Sequence, residues 1–201
     1  MRFGEEIAIF GLDWARLHFV ENNGMAFGLE FGGKIGKLAL SLFRVFAVGL
    51  LIYLIRGFIK AREPKGLIIF FSMILAGAIG NILDSMFYGL IFSKTTYGQI
   101  ATMWPEGGGY APFLFGHVVD MFYFPLIDTN WPEWMPGLGG KRFQFFRPVF
   151  NGADAAISVG VVGIIMFYGS FLGTKKKENA QQPAKVSQSM ISNSEDISSP
   201  T

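Results

Sequence analysis

Three stretches of the chain read as membrane spans from their pattern of apolar and polar positions. Gly66 to Leu83 is a run of 18 residues without an ionisable group, and its apolar character continues past Asp84 through Met86-Phe87-Tyr88 to Phe92. Ala155 to Thr174 is a second uncharged run, of 20 residues, closed by Lys175-Lys176-Lys177. Both are long enough to cross the hydrocarbon core as helices. Leu38 to Ile55 is the third; it holds Arg44 near its start, and an arginine within two turns of a helix end can snorkel to the interface. Elsewhere the period changes. Trp14, Arg16, His18 and Val20 alternate with Ala15, Leu17, Phe19 and Glu21, the two-residue repeat of a short strand.

Lysine and arginine counts orient the spans. Arg56, Lys60, Arg62 and Lys65 crowd one short loop, whereas the whole of 85–153 has only Lys94, Lys141, Arg142 and Arg147, so the short loop is expected in the cytoplasm. The expected organisation is an outer segment with short strands (1–37), a span (38–55), a cytoplasmic loop (56–65), a span with an outer extension (66–92), an outer platform or lid (93–153), a last span (154–174) and a disordered cytoplasmic tail (175–201). Trp14, Trp104, Trp131 and Trp134 favour outer segments that lie on the membrane at headgroup level. The fold class is thus a mainly α membrane protein, a small helix bundle carrying a short-stranded β platform.

Composition agrees and narrows the chemistry. Of 201 residues, 51% are hydrophobic and only 16% charged, against roughly 25% in soluble domains. A net charge of +2 is too small and too dispersed for nucleic-acid binding. Without cysteine there is no thiolate metal site or cysteine nucleophile, and two histidines, His18 and His117, fit strand or interface positions better than a metal site. Any hydrolysis must rest on carboxylates, hydroxyls and amides.

Four polar clusters interrupt apolar sequence at the expected outer boundary: Asn22-Asn23-Gly24-Met25-Ala26-Phe27, Gly80-Asn81-Ile82-Leu83-Asp84, Gly116-His117-Val118-Val119-Asp120 and Phe150-Asn151-Gly152-Ala153-Asp154. Ionisable groups at membrane depth are expensive and mark functional sites by default. Each also has a structural reading: Asp154 as an N-cap, Asn81 as a bond to a neighbouring helix, Asp84 as an anchor. The combination favours chemistry, because Asp120 and Asp154 share one membrane level. Two poorly solvated carboxylates share a proton, so one can act as general base on water while the other protonates a carbonyl.

Asn22-x-Gly24-x-Ala26-Phe27, Gly80-Asn81-x-x-Asp84, Val118-Val119-Asp120 and Phe150-Asn151-x-Ala153-Asp154-x-x-Ile157, in this order, resemble the motifs of bacterial lipoprotein signal peptidase, signal peptidase II. The resemblance covers about residues 5–173. It implies an aspartic endopeptidase of the bacterial inner membrane, with its active site at the periplasmic face. Such an enzyme removes the signal peptide of a prolipoprotein on the amino side of its diacylglyceryl-cysteine. By the same resemblance Asp120 and Asp154 match the catalytic pair, Asn22, Asn81, Asp84 and Asn151 match the supporting polar residues, and the reaction needs no metal or other cofactor. Prolipoproteins and membrane lipids are the implied partners. A small transporter or a non-enzymatic membrane scaffold is the alternative class.

Three departures carry expectations of their own. The family's Asp-Arg dipeptide is Asp84-Ser85 here, and Arg147, four residues before Asn151, is the expected substitute for the missing cation. The stretches 85–119 and 121–149 are long for the family and are expected to form the outer platform or lid. The family's first membrane helix has no counterpart before Gly4-Glu5-Glu6, so a further apolar helix is expected upstream of Met1.

Overall fold

A computed structural model describes residues 4–22, 33–96 and 98–170. The expected strand at 14–21 is present as β2, Arg16–Asn22, paired antiparallel on one side with β1, Glu6–Ala8. A 3-10 turn at Ile9–Gly11 joins the two. Asn23 to Phe27, the rest of the first polar cluster, and the tail 175–201 lie outside the described residues.

Among the described residues three helices are long and apolar enough to cross a membrane: α1, Gly33–Lys60, α2, Lys65–Ile91, and α3, Gly152–Ser170. The first begins before Leu38 and runs past Ile55, because charged residues at a helix end leave its backbone hydrogen bonding intact. It stops where Arg62 turns to a positive φ of 54° and Pro64 follows. The four residues 61–64 make α1 and α2 neighbours, and Phe58 meets Phe71 edge-on at 4.9 Å between ring centroids.

Contacts divide the chain into Met1–Gly160 and Val161–Thr201. In the second unit the described residues, to Ser170, are helical. In the first, the opening turns of α3 pack on α2 through glycine. A side chain at Gly77 would run into the carbonyl of Ala153 and the side chain of Ile157, and one at Gly160 into Phe70 and Ile74. Small residues let helix backbones approach closely where lipid gives no hydrophobic drive.

The segment after α2 folds back on the end of that helix. The last carbonyls of a helix lack internal partners, and here the N–H groups of Ala111 and Trp104 donate to Gly89 and Ile91 at 2.9 and 2.8 Å, while Gly116 N–H donates to the Ser85 carbonyl at 2.9 Å. Gly116 lies so near Ser85 and Gly89 that only glycine fits. The chain then enters β3, Val118–Tyr123, which pairs antiparallel with β2 so that Val20 faces Asp120 and Asn22 faces Val118.

After β3 comes a separate two-stranded hairpin, β4, Ile127–Asn130, and β5, Arg142–Phe145, fastened by Arg142 to Asp128. Then β6, Val149–Phe150, returns to the other edge of β3, completing a sheet of order β1-β2-β3-β6. Phe150 packs against Phe122 and Phe124 at 6.0 and 5.6 Å. That aromatic cluster fixes the residue immediately before Asn151 and the start of α3.

Candidate active site

Six residues singled out by the sequence reach this junction from four elements. Asn22 ends β2, Asn81 and Asp84 stand one turn apart on α2, Asp120 is on β3, and Asn151 and Asp154 begin α3. Asp120, Asn81 and Asn151 are 4%, 7% and 7% exposed, so these polar groups must find partners within the protein.

The start of α3 is a reciprocal cap. Asn151 Oδ1 accepts from the Asp154 N–H at 3.0 Å, and Asp154 Oδ2 accepts from the Asn151 N–H at 3.2 Å. This is the geometry of a capping box, with Asn151 as N-cap and Asp154 three residues on. The N-cap expected at Asp154 is therefore Asn151. Asp154 lies inside the first turn, at the positive end of the helix dipole.

Because the cap uses the Oδ1 of Asn151, its Nδ2 remains to serve the other elements. It donates to Asp120 Oδ1 at 2.8 Å and to Asn81 Oδ1 at 3.2 Å. Asn81 Nδ2 donates to Asp154 Oδ1 at 3.0 Å, and Asn22 Nδ2 donates to Asp120 Oδ2 at 3.0 Å. The two carboxylates lie within hydrogen-bonding reach of each other. Burial pushes the Asp120 carboxyl above its ordinary range, the Asp154 charge adds to this, and the bonds from Asn22 and Asn151 offset only part of it.

Asp84 interacts electrostatically with both aspartates, but its hydrogen bonds go elsewhere. Its carboxylate accepts from the Val119 N–H and the Tyr88 hydroxyl. It thus docks β3 on α2 at the residue next to Asp120, which is a positioning contact.

The cation that interacts with the pair comes from α1 and is not Arg147. Arg147 is exposed, and among the described residues no hydrogen bond or ion pair joins it to either aspartate. The half-buried Arg44 of α1 instead donates from Nη1 to Ser85 Oγ at 3.2 Å and interacts electrostatically with Asp154 and Asp120. Its sequence signal was Ser41, one turn earlier on the same helix face, a second polar residue in an apolar run.

A further network was not legible in the chain. Glu21 Oε2 meets His117 Nδ1 at 2.8 Å, and the His117 N–H donates to the Tyr110 hydroxyl at 2.7 Å. Burial would raise Glu21, but its bonds to His117 and Thr95 outweigh this and hold the carboxyl below its usual range. Burial pushes the Tyr110 phenol up to about 12. Glu21 and Tyr110 line a cavity of about 270 Å³ together with Phe19, Tyr88, Thr95 and Val119. Successive strand residues point to opposite faces, so β3 presents Val119 to this cavity and Asp120 to the other carboxylate.

Apolar helices long enough to span, joined to a sheet at a buried cluster of carboxylates and amides, define a multi-pass membrane protein with the elements of a hydrolytic site. Residues 2–170 match the family model described as signal peptidase (SPase) II. The lipoprotein signal peptidase of Porphyromonas gingivalis is 52% identical over 156 residues, which are 77% of this chain and 67% of that protein. Those of Amoebophilus asiaticus and Chlorobaculum parvum are 34% and 30% identical, over 90% and 78% of this chain and 68% and 72% of theirs. A bacterial membrane enzyme solved by the in meso method at 2.3 Å shares the fold, with a TM-score of 0.52, 20% identity and coverage of 88% of this chain and 76% of that one. The chain belongs to the signal peptidase II family, and its function is that of a lipoprotein signal peptidase.

Proposed function

We propose that this peptidase is of the aspartic type and that Asp120 and Asp154 are its reacting pair. The observation that carries the proposal is the Asn151 side chain, which bonds at once to Asp120 Oδ1 and to the Asp154 backbone. One amide thereby sets the separation of the two carboxylates. Buried carboxylates this close share a single proton. Asp120, the deeply buried member, is placed to hold it, and Asp154 at the helix N-terminus is placed to act as the base.

The reaction follows from that asymmetry. Asp154 takes a proton from water as the oxygen attacks the scissile carbonyl carbon, and Asp120 gives its proton to the carbonyl oxygen. The tetrahedral intermediate then collapses as Asp120 takes back a hydroxyl proton, the C–N bond breaks, and the amine leaves with the proton that Asp154 had taken. Asn22, Asn81 and Asn151 hold both carboxylates in place throughout, so little reorganisation accompanies the transfer of charge.

The substrate is a prolipoprotein, cut on the amino side of its diacylglyceryl-cysteine. The site lies at the periplasmic face of the bacterial inner membrane, with 56–65 in the cytoplasm, as the lysine and arginine distribution supports. The stretch 93–153 forms the outer platform beside the scissile bond, with membrane lipid around it and no part for nucleic acid. The test is cleavage in detergent of one precursor in lipidated and unlipidated form, with the new N-terminus read by mass spectrometry. Release of a product beginning at the lipidated cysteine, with the unlipidated form spared, supports this reading; cleavage elsewhere, or equal cleavage of both, contradicts it.

A further inference from the structure

A guanidinium in an apolar helix is costly unless it reaches water or partners of fitting charge. Arg44 is half-buried, and its Nη1 is anchored on Ser85 Oγ at 3.2 Å. Ser85 Oγ in turn donates to the Asn81 carbonyl at 3.0 Å. Arg44 is thus tied to the same turn of α2 whose Asn81 side chain holds Asp154.

The face of α1 that carries it is itself fixed. Ser41, 4% exposed, shares its one hydroxyl hydrogen between the carbonyls of Lys37 and Leu114, at 3.0 and 3.2 Å from Oγ. This binds the helix to the segment that follows α2. Asp120 from β3 and Asp154 from α3 interact with the guanidinium, Asp154 the more strongly. Asp84 on α2 interacts electrostatically with both members of the pair, and Tyr88 reaches it through its bond to Asp84.

Two adjacent carboxylates resist holding even one negative charge away from water, and a fixed cation offsets that cost. A guanidinium suits this role because it stays protonated at every accessible pH. We propose that Arg44 is a positioning residue for the cleavage reaction, its charge held by Ser85 so that the Asp120–Asp154 pair exists in its singly ionised form. The proposal rests on the reading of that pair as the reacting groups. It also makes the Asp84-Ser85 sequence intelligible: a cation arriving from α1 needs a small hydroxyl at position 85 to receive it.

The test is the pH dependence of kcat/KM on a lipidated precursor in detergent, measured for Arg44→Gln, Arg44→Lys and the double variant Arg44→Gln/Ser85→Arg, with thermal stability alongside. Losing the cation raises the cost of the ionised pair, so Arg44→Gln moves the acid limb to higher pH by about one unit. It also lowers kcat roughly tenfold or more with KM little changed. Arg44→Lys restores part of both, and Ser85→Arg returns the limb toward its original place by bringing the charge in from α2. If Arg44→Gln does not fold, Ser85→Ala, which loosens the guanidinium without discharging it, shifts the limb in the same direction by less.

An unshifted acid limb in whichever of these two variants folds overturns the proposal, as does a loss of rate that merely follows loss of stability. Should Asp120→Asn or Asp154→Asn keep its activity, the pair itself has been misassigned. Should both be inactive while the acid limb stays put, only the role of Arg44 fails.

Discussion

Asn151 and Asp154 cap each other at the start of α3, through bonds of 3.0 and 3.2 Å, and the same Asn151 amide donates to Asp120 at 2.8 Å. A helix cap and a link between two carboxylates are thus one side chain. The two roles are separable by substitution. Serine is a good N-cap but has no amide to give Asp120. Asn151→Ser is expected to melt within a few degrees of wild type while losing roughly 10- to 100-fold in kcat/KM, the worth of a hydrogen bond to a carboxyl that becomes charged as it gives up its proton. Asn151→Ala is expected to lose the cap too, a further cost of about 1 kcal/mol. Wild-type activity in the serine variant would show that the link to Asp120 is incidental.

The raised Asp120 carboxyl has a signature in stability. A carboxyl that titrates higher in the folded protein than in the unfolded chain favours the fold while protonated, and that contribution fades as pH rises through the folded value. Asp120→Asn, which stays neutral, is expected to melt above wild type at about pH 8, with the gap narrowing toward about pH 4. A gap that does not change with pH would remove burial as the governing influence on this group.

Glu21 is expected to behave in the opposite sense. Its carboxyl is held low by His117 and Thr95, so its contribution is present above the unfolded value and is lost as pH falls through the folded one. Glu21→Gln should therefore melt a few degrees below wild type near neutral pH and converge with it in acid. Because Glu21 adjoins Asn22 and faces Val119 across the sheet, a several-fold loss of cleavage should accompany the change. An unaltered melting point at neutral pH would mean that the Glu21–His117 pair does not hold this part of the sheet.

How much of this was legible in the chain differs from residue to residue. The spans were visible because a lipid-facing helix must be apolar over a length that the bilayer dictates. The strand at Arg16–Asn22 was visible because successive side chains alternate in character with a period of two. Asn22, Asn81, Asp120, Asn151 and Asp154 stood out because polar groups in apolar sequence demand partners, and the structure brings all five together. The chain suggests that Arg44 snorkels to the interface and that Arg147 is the cation near the site, but nearness along the chain is a poor guide to contact across helices. Nothing local in the sequence reveals that Ser85, on another helix, receives the guanidinium. The Glu21–His117 pair was hidden for the same reason, its members being 96 positions apart.

Close packing of α2 against the start of α3 should be needed for the Asn81–Asp154 bond. A methyl group at Gly77 overlaps the Ala153 carbonyl, whereas one at Gly80 meets only the Ala153 methyl, at 3.2 Å. Gly77→Ala is expected to cost about 1–3 kcal/mol as an overpacking change and to lower kcat/KM with it. Gly80→Ala should be the milder of the two in both respects. Equal tolerance of the two substitutions, by melting temperature and cleavage rate, would show that α3 does not depend on this contact.

The central claim is that Asp120 and Asp154 together carry out the hydrolysis, and the most direct measurement is single-turnover cleavage of a lipidated precursor by wild type, Asp120→Asn and Asp154→Asn, with precursor binding and melting temperature recorded on the same preparations. An amide keeps the shape of the carboxylate but can neither take a proton from water nor deliver one. Each variant is expected to stay folded, to bind the precursor within a few-fold of wild type, and to lose roughly a hundredfold or more in rate. Near-normal cleavage by either variant, or a loss fully accounted for by weaker binding or unfolding, would contradict the claim.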